Sequence, residues 1–156
     1  MDVSHIVLAS HGTAGARAAE RAAFDLARRD GARVTHLYVI PDFWAGMRGD
    51  DWLNNAVTQE AFGHYLEGEL AREAREVMDR LQEEAQAFEV ALDSRALFGD
   101  PTKCLIHLCA DCKADLVVLG TPRPKGMPGY ASRMKLDLLS RSLGAALLIV
   151  PPDAKP

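Results

Sequence analysis

The apolar residues of this chain fall into five short runs, and segments with a helical pattern separate them. The runs occupy residues 5–9, 34–40, 90–98, 115–119 and 145–150. They are rich in Val, Ile and Leu, with Gly, Pro or Asp nearby, which predicts β-strands. The run from Leu116 to Leu119 is continuously apolar, as is typical of a strand that is buried on both faces of a parallel sheet.

Between the runs, apolar residues recur at every third or fourth position, which is the period of an α-helix. Helices are predicted over residues 14–30, 55–88 and 131–143, and a further helix begins at Pro101. The apolar side of the first helix is predicted to contain Ala18, Ala19, Ala22, Ala23 and Leu26. The residues expected to cap the helices are Thr13 and Asp100 at N-termini and Gly31 and Gly144 at C-termini.

The alternation of strands and helices predicts an α/β protein with a doubly wound, five-stranded parallel sheet, in a single domain over residues 1–156. In open sheets of this kind, ligands bind beyond the carboxyl ends of the strands. Ser10 and His11 follow the first strand, and Gly120 ends the fourth, before a loop over residues 121–130. A small-molecule site is therefore expected at this edge of the sheet.

Composition narrows the class of protein. The 156 residues are 48% hydrophobic and 26% charged, with a net charge of −4, which is ordinary for a globular domain. The acidic balance argues against a nucleic-acid partner. The longest apolar run, residues 145–150, is too short to span a bilayer, and the first strand lacks the features of a signal peptide. We therefore expect a cytoplasmic protein that does not bind membranes.

Three cysteines lie close together, at Cys104, Cys109 and Cys112. A Cys-x2-Cys pair with His107 nearby suggests a zinc ligand set or a redox pair. All of these residues lie on one predicted helix, however, and no second pair of ligands appears elsewhere. The pattern favours packing of Cys104 and Cys109 in the core, with Cys112 partly exposed.

The segment from Gly99 to Gly120 resembles the universal stress protein family. The resemblance rests on Gly99-x-Pro101, a helix with an apolar stripe ending in Cys112-Lys-Ala-Asp115, and then Leu-Val-Val-Leu-Gly120. It extends over nearly the whole chain through the opening strand 5–9, the second strand 37–40 and a last strand that ends at Val150. It implies a Rossmann-like fold (adenine nucleotide alpha hydrolase-like), strand order 3-2-1-4-5, and a homodimer linked to stress survival.

One branch of that family binds ATP. Its pattern has an aspartate at the end of the first strand and Gly-x2-Gly-x9-Gly-Ser/Thr after the fourth, because glycines let the backbone approach phosphates at a helix N-terminus. In this chain, the aspartate position holds His11 and the first glycine is Gly120. The second and third glycine positions hold Arg123 and Arg133, and Met134 replaces the hydroxyl residue.

The loop after Gly120 nevertheless offers groups that could bind phosphate by charge, among them Arg123, Lys125, Arg133 and Lys135. Ser132 could cap the following helix and donate to an anion, and the end of the second strand near Val39 and Ile40 could form an adenine wall. The alternative is a solvated basic loop shaped by its prolines, with His11 as an exposed turn histidine. The candidate nucleotide-binding residues are Ser10, His11, Val39, Gly120, Arg123, Gly126, Ser132 and Arg133.

Two functions follow from the resemblance. The first is a non-catalytic stress-response binding or signalling module with a degenerate nucleotide site, which dimerises through the strand from Ala145 to Val150. The alternative is an ATP- or AMP-binding protein with slow phosphohydrolase activity that uses the basic loop. A redox or metal sensor based on the cysteines is a third, weaker hypothesis. The aromatic residues Phe43, Trp44 and Trp52 favour a lid over the site or a partner-binding surface, and the alternative is that they cover the edge of the core.

Overall fold

Five parallel strands form one sheet in the order β3-β2-β1-β4-β5. The structure is a computed structural model that describes residues 3–12, 14–40, 56–121 and 134–152. This topology confirms the predicted fold class and strand order. The elements are β1 (His5–Ala9), a 3-10 turn (Ala14–Ala16), α1 (Arg17–Asp30), β2 (Arg33–Ile40), α2 (Ala56–Phe88), β3 (Leu92–Phe98), α3 (Pro101–Cys112), β4 (Leu116–Gly120), α4 (Leu136–Ser142) and β5 (Ala146–Val150).

The sheet is covered on both faces, which explains why its central strands are apolar throughout. On one face, Ile6 and Leu8 of β1 pack with α1 and α2, including Phe24 and Leu81. On the other face, Val7 packs with residues of α3 and α4. Successive residues of β1 thus point into two different cores, and neither face of this strand is left for solvent.

Two of the predicted helix caps are confirmed, and one is wrong. The carboxylate of Asp100 accepts from the amides of Thr102 at 2.9 Å and Lys103 at 3.2 Å, and Gly31 ends α1 in the left-handed conformation, with φ +68°. Gly144 does not cap α4: the helix ends at Ser142, and Leu143 adopts an extended conformation that leads into β5. Thr13 lies outside the described residues.

The fourth helix is shorter than the pattern of residues 131–143 predicted, because it begins only at Leu136. The amide of Lys135 donates to the hydroxyl of Thr102 on α3 at 2.9 Å, and the backbone of Lys135 is extended rather than helical. This bond to α3 holds the residue before the helix out of the helical conformation. Residues 131–133 lie outside the described part of the chain.

The two edges of the sheet differ in character. On β3, Asp93 and Arg95 form an exposed ion pair at 3.3 Å. On β5, Ile149 is 37% exposed, and the other residues of the strand are half-buried. In the described ranges, no helix has the length and apolar character needed to cross a membrane.

Candidate functional site at the carboxyl edge of the sheet

The turn after β1 is fixed by the side chain of Ser10, which is 5% exposed. The Ser10 amide donates to the carbonyl of Leu37 at 3.2 Å. Its hydroxyl donates to Oε2 of Glu20 at 2.5 Å and accepts from the amide of Gly12 at 3.0 Å. A single side chain therefore joins the end of β1 to the body of α1.

A buried ion pair extends this connection to α2. Glu20 has no exposed surface; Arg80 donates to it from Nη1 to Oε1 at 3.1 Å and from Nη2 to Oε2 at 3.3 Å. Arg80 also donates to Glu84 at 2.9 Å. Burial alone would lower the pKa of Arg80, but hydrogen bonds and negative charge from Glu20 and Glu84 raise it. We name the set of Ser10, Glu20 and Arg80 the polar clamp.

A fully buried histidine of β2 adjoins the clamp. Nε2 of His36 lies 2.8 Å from the carbonyl oxygen of Ser10 and Nδ1 lies 3.3 Å from the hydroxyl of Ser94. Because a carbonyl can only accept, Nε2 carries the hydrogen. Burial lowers the pKa of His36 below its usual 6.5, although the Ser10 carbonyl and the charge of Glu20 favour protonation. His36 is therefore neutral at pH 7.

His11 is exposed, but its ring is not free in solvent. Nε2 donates to the carbonyl of Val39 at 2.9 Å, and the ring meets Tyr38 edge-on, with centroids 4.9 Å apart at 82°. The side chains of Val39 and Ile40 are 4% and 1% exposed. The group that this end of β2 presents toward His11 is therefore a backbone carbonyl, and an adenine wall made by these two side chains stays a prediction.

The next residue, Gly12, is held tightly against α2. Its φ is +73°, and a Cβ added there would lie 2.8 Å from both methyl carbons of Val77 and 2.9 Å from Nη2 of Arg80. A side chain would thus be opposed by both the backbone conformation and the lack of space. The backbone on both sides of His11 is therefore fixed by packing and hydrogen bonds.

Gly120, at the end of β4, approaches the turn that precedes α1. A Cβ at this position would lie 3.4 Å from the carbonyl oxygen of Gly15 and 3.5 Å from Cα of Ala16. The amide of the next residue, Thr121, donates to the carbonyl of Val150 at 3.2 Å. Ala9 at the end of β1 pairs with Leu119 of β4, so the ends of these two strands are adjacent, as the site hypothesis requires.

The N-terminus of α3 contributes a further fixed point to this edge. Thr102 has no exposed surface, and its hydroxyl accepts from the amide of Lys135 and donates to the sulfur of Met134 at 3.7 Å. The Lys135 side chain is exposed. One of the four predicted phosphate-binding cations is therefore placed by a bond between its own backbone and α3.

The structure places four of the predicted nucleotide-binding residues at the same edge of the sheet: Ser10, His11, Val39 and Gly120. The other four lie outside the described residues, and so do the aromatic residues of the predicted lid and the remaining basic residues of the loop. The four nucleotide-binding candidates are Arg123, Gly126, Ser132 and Arg133; the aromatic residues are Phe43, Trp44 and Trp52; and the remaining basic residue is Lys125.

The cysteines have the environment of packed thiols. Burial, with a smaller effect from Cys112, raises the pKa of the Cys109 thiol to about 12, and burial also raises the pKa of Cys112. Cys104 is half-buried against the core beneath α3. Thiols with raised pKa values are poor nucleophiles at neutral pH. In the ranges that the structure describes, no group of three His, Cys, Asp or Glu side chains is placed to hold a metal ion.

Sequence reasoning missed Glu20, His36 and Arg80. A signal was present for Glu20, because it precedes Ala23 by three residues and Phe24 by four and so shares their buried side of α1. A carboxylate within an apolar stripe indicates a buried partner. The sequence offered no means of choosing Arg80 as that partner, because sixty residues separate the two.

The fold and this edge define the class of protein: a doubly wound α/β domain whose polar groups gather where β1, β2 and β4 end. The universal stress protein family model matches residues 2–132, and the chain belongs to this family. Among curated proteins, none matches the sequence significantly.

Solved structures share the fold at low sequence identity. The hypothetical protein MJ0577 has a TM-score of 0.76 and 14% identity, with 99% of this chain and 100% of that chain covered. For the universal stress protein UspA from Lactobacillus plantarum, the TM-score is 0.68 and the identity 18%, covering 96% and 99%. The universal stress protein from Archaeoglobus fulgidus in complex with dAMP gives 0.62 and 16%, covering 96% and 98%.

Proposed function

We propose that this universal stress protein is a non-catalytic binding or signalling module of the stress response, with a degenerate nucleotide site. The observation that carries the proposal is the contact between His11 and the carbonyl of Val39. At the end of β1, where the ATP-binding branch of the family has an aspartate, this chain has an imidazole that is bonded to its own backbone. Cytoplasmic location belongs to the same proposal.

The buried carboxylate near this edge supports a non-catalytic role. Glu20 has no exposed surface, and both of its oxygens accept hydrogen bonds, from Ser10 and from Arg80. A general base must reach the proton that it removes. The hydrogen bonds and burial of Glu20 suit a structural role better than proton transfer.

The alternative is an ATP- or AMP-binding protein with slow phosphohydrolase activity. Two observations favour it: a relative of the same fold is in complex with dAMP, and Lys135 is exposed beside the start of α3. Arg123 and Arg133 would then supply further positive charge in place of the glycines of the family pattern.

Calorimetric titration with Mg-ATP, ADP and AMP tests the two functions. If the protein is a module with a degenerate site, Mg-ATP is expected to give weak heat or none. If no nucleotide gives heat at millimolar concentration, the ATP- or AMP-binding alternative is excluded. Binding of Mg-ATP is then followed by an assay for released phosphate. Release above the rate of a sample heated to inactivation would contradict the non-catalytic proposal.

We also assign the β5 edge to a homodimer contact. An apolar edge strand offers unpaired backbone groups to a second chain, and Ile149 is the large apolar residue exposed there. The opposite edge, β3, carries an exposed ion pair instead, at Asp93 and Arg95. The contrast between the edges favours β5 as the interface of a symmetric dimer.

A further inference from the structure

We propose that His11 is a built-in occupant of a base subsite, so that a planar heterocycle with an N–H donor binds the carbonyl of Val39 only by displacing the imidazole. The inference rests on the proposed function, since it concerns the same nucleotide site. It goes beyond that function because it attributes weak nucleotide binding to one movable side chain, in addition to the replaced glycines of the family pattern.

The direction of the Val39 carbonyl supports a subsite. In a parallel strand, successive carbonyls point to opposite neighbours. The carbonyl of Leu37 accepts from Ser10, just after β1, and that of Ile40 accepts from Gly99, just after β3. The carbonyl of Val39 therefore points to the β1 side, past the residue where β1 leaves the sheet. The Val39 carbonyl is therefore an acceptor that the paired part of β1 does not use, and Nε2 of His11 donates to it.

The ring of His11 can move while its backbone cannot. On one side, the hydroxyl of Ser10 is hydrogen-bonded to Glu20 and to the amide of Gly12. On the other side, Gly12 lies so close to Val77 that its backbone has no room to shift. The side chain of His11 is itself exposed, and rotation about its side-chain torsions carries the ring away from Val39. Displacement of the imidazole thus requires no change in the fold.

The surroundings of the ring suit a nucleobase. Tyr38 is buried, with 8% of its surface exposed, and meets the imidazole edge-on. A heterocycle that replaced the imidazole would meet the same aromatic ring edge-on and the same acceptor, and edge-to-face contacts between aromatic rings are favourable. An exocyclic amino group, as in adenine, supplies the N–H that the Val39 carbonyl needs.

The test compares AMP binding by the wild-type chain and by His11→Ala in calorimetry. Because the ligand no longer competes with one hydrogen bond of the protein, the affinity for AMP is expected to rise roughly 2- to 10-fold. The matched control is His107→Ala, which removes an exposed histidine from α3 and is expected to leave the affinity unchanged. In His11→Gly, added imidazole is expected to compete with AMP, whereas in the wild type it has no vacant place.

The outcomes separate this inference from the proposed function. Equal affinities of the wild type and His11→Ala overturn the inference and leave nucleotide binding intact. A weaker affinity of His11→Ala also overturns it, because His11 is then a ligand-binding residue. Failure of AMP to bind any of the variants at millimolar concentration overturns both the subsite and the nucleotide site. Tighter binding by His11→Ala, with His107→Ala unchanged, supports the inference.

Discussion

The carboxylate of Glu20 on α1 and the guanidinium of Arg80 on α2 meet through two N–H···O contacts of 3.1 and 3.3 Å. Glu20 is fully buried, whereas 24% of the Arg80 side chain is exposed. Removal of the cation leaves a buried carboxylate whose charge is no longer balanced. Breaking a buried pair in this way is more costly than losing a surface pair.

Arg80→Ala is therefore expected to lower the free energy of unfolding by about 2–3 kcal/mol, somewhat less than for a fully buried pair. The measurement is urea unfolding at pH 7. The control is Arg72→Ala, which removes an exposed partner of Glu69 and should cost less than about 1 kcal/mol. Equal losses for the two variants would show that the clamp does not stabilise the fold.

The neutral, buried His36 makes stability depend on pH. Its folded-state pKa lies below its unfolded value, so the unfolded chain binds more protons in the interval between the two. The free energy of unfolding therefore falls as pH drops below about 6.5, by at most about 1.4 kcal/mol per pH unit from this group. Urea unfolding between pH 7.5 and 5.5 measures the slope.

His36→Gln is expected to reduce that slope, since a Gln amide does not titrate and can still donate to the Ser10 carbonyl. His107→Gln on the exposed side of α3 should keep the wild-type slope. If His36→Gln shows the full wild-type pH dependence, the acid sensitivity comes from other groups.

Gly12→Ala tests the packing of the turn against α2. A Cβ would lie 2.8 Å from Val77 at a φ of +73°, and we expect a loss of about 1–3 kcal/mol in the free energy of unfolding. Gly15→Ala is the matched control, because nothing lies within 4 Å of its added Cβ. Thermal unfolding measures both variants, and equal Tm values would contradict the close approach seen here.

Ile149→Lys tests the proposed dimer edge. A charge at this exposed position should prevent pairing of apolar edges, so light scattering after gel filtration is expected to give a monomer mass. The control is Ala96→Lys, at an exposed position on the β3 edge, which should leave the dimer intact. Leu148 lies on the same strand, but its substitution would not test the dimer alone, because its side chain packs on the core. A dimer that persists in Ile149→Lys would place the interface elsewhere.

Local patterns predicted most of the fold and only part of the candidate site. The continuous apolar run in β4 predicted a strand covered on both faces, and Asp100 with Pro101 predicted the start of α3; both are confirmed. These features depend on residues that are close in sequence. Ser10, His11 and Gly120 lie at the expected edge of the sheet because the carboxyl ends of parallel strands meet there.

The errors come from contacts between distant residues. On α1, the predicted Ala18, Ala19 and Ala23 are buried and Leu26 packs half-buried against the same core, but the prediction left out the buried Phe24 and Ala27. The end of α4 depends on how the chain enters β5, which the presence of Gly144 does not determine. The bond from His11 to Val39 joins residues 28 positions apart and leaves no local trace in the sequence.

The bonds at the two ends of residues 122–133 have a consequence for how such proteins diversify. On one side, the amide of Thr121 is held by Val150, and on the other, the amide of Lys135 is held by Thr102. Val150 belongs to β5 and Thr102 to α3, so both anchors are part of the sheet and its helices. For a flexible connection between two fixed anchors, each doubling of its length costs only about 0.6 kcal/mol in closure entropy. A flexible segment of another sequence, grafted between these anchors, would therefore change the chemistry of the edge and keep the bonds that hold its two ends.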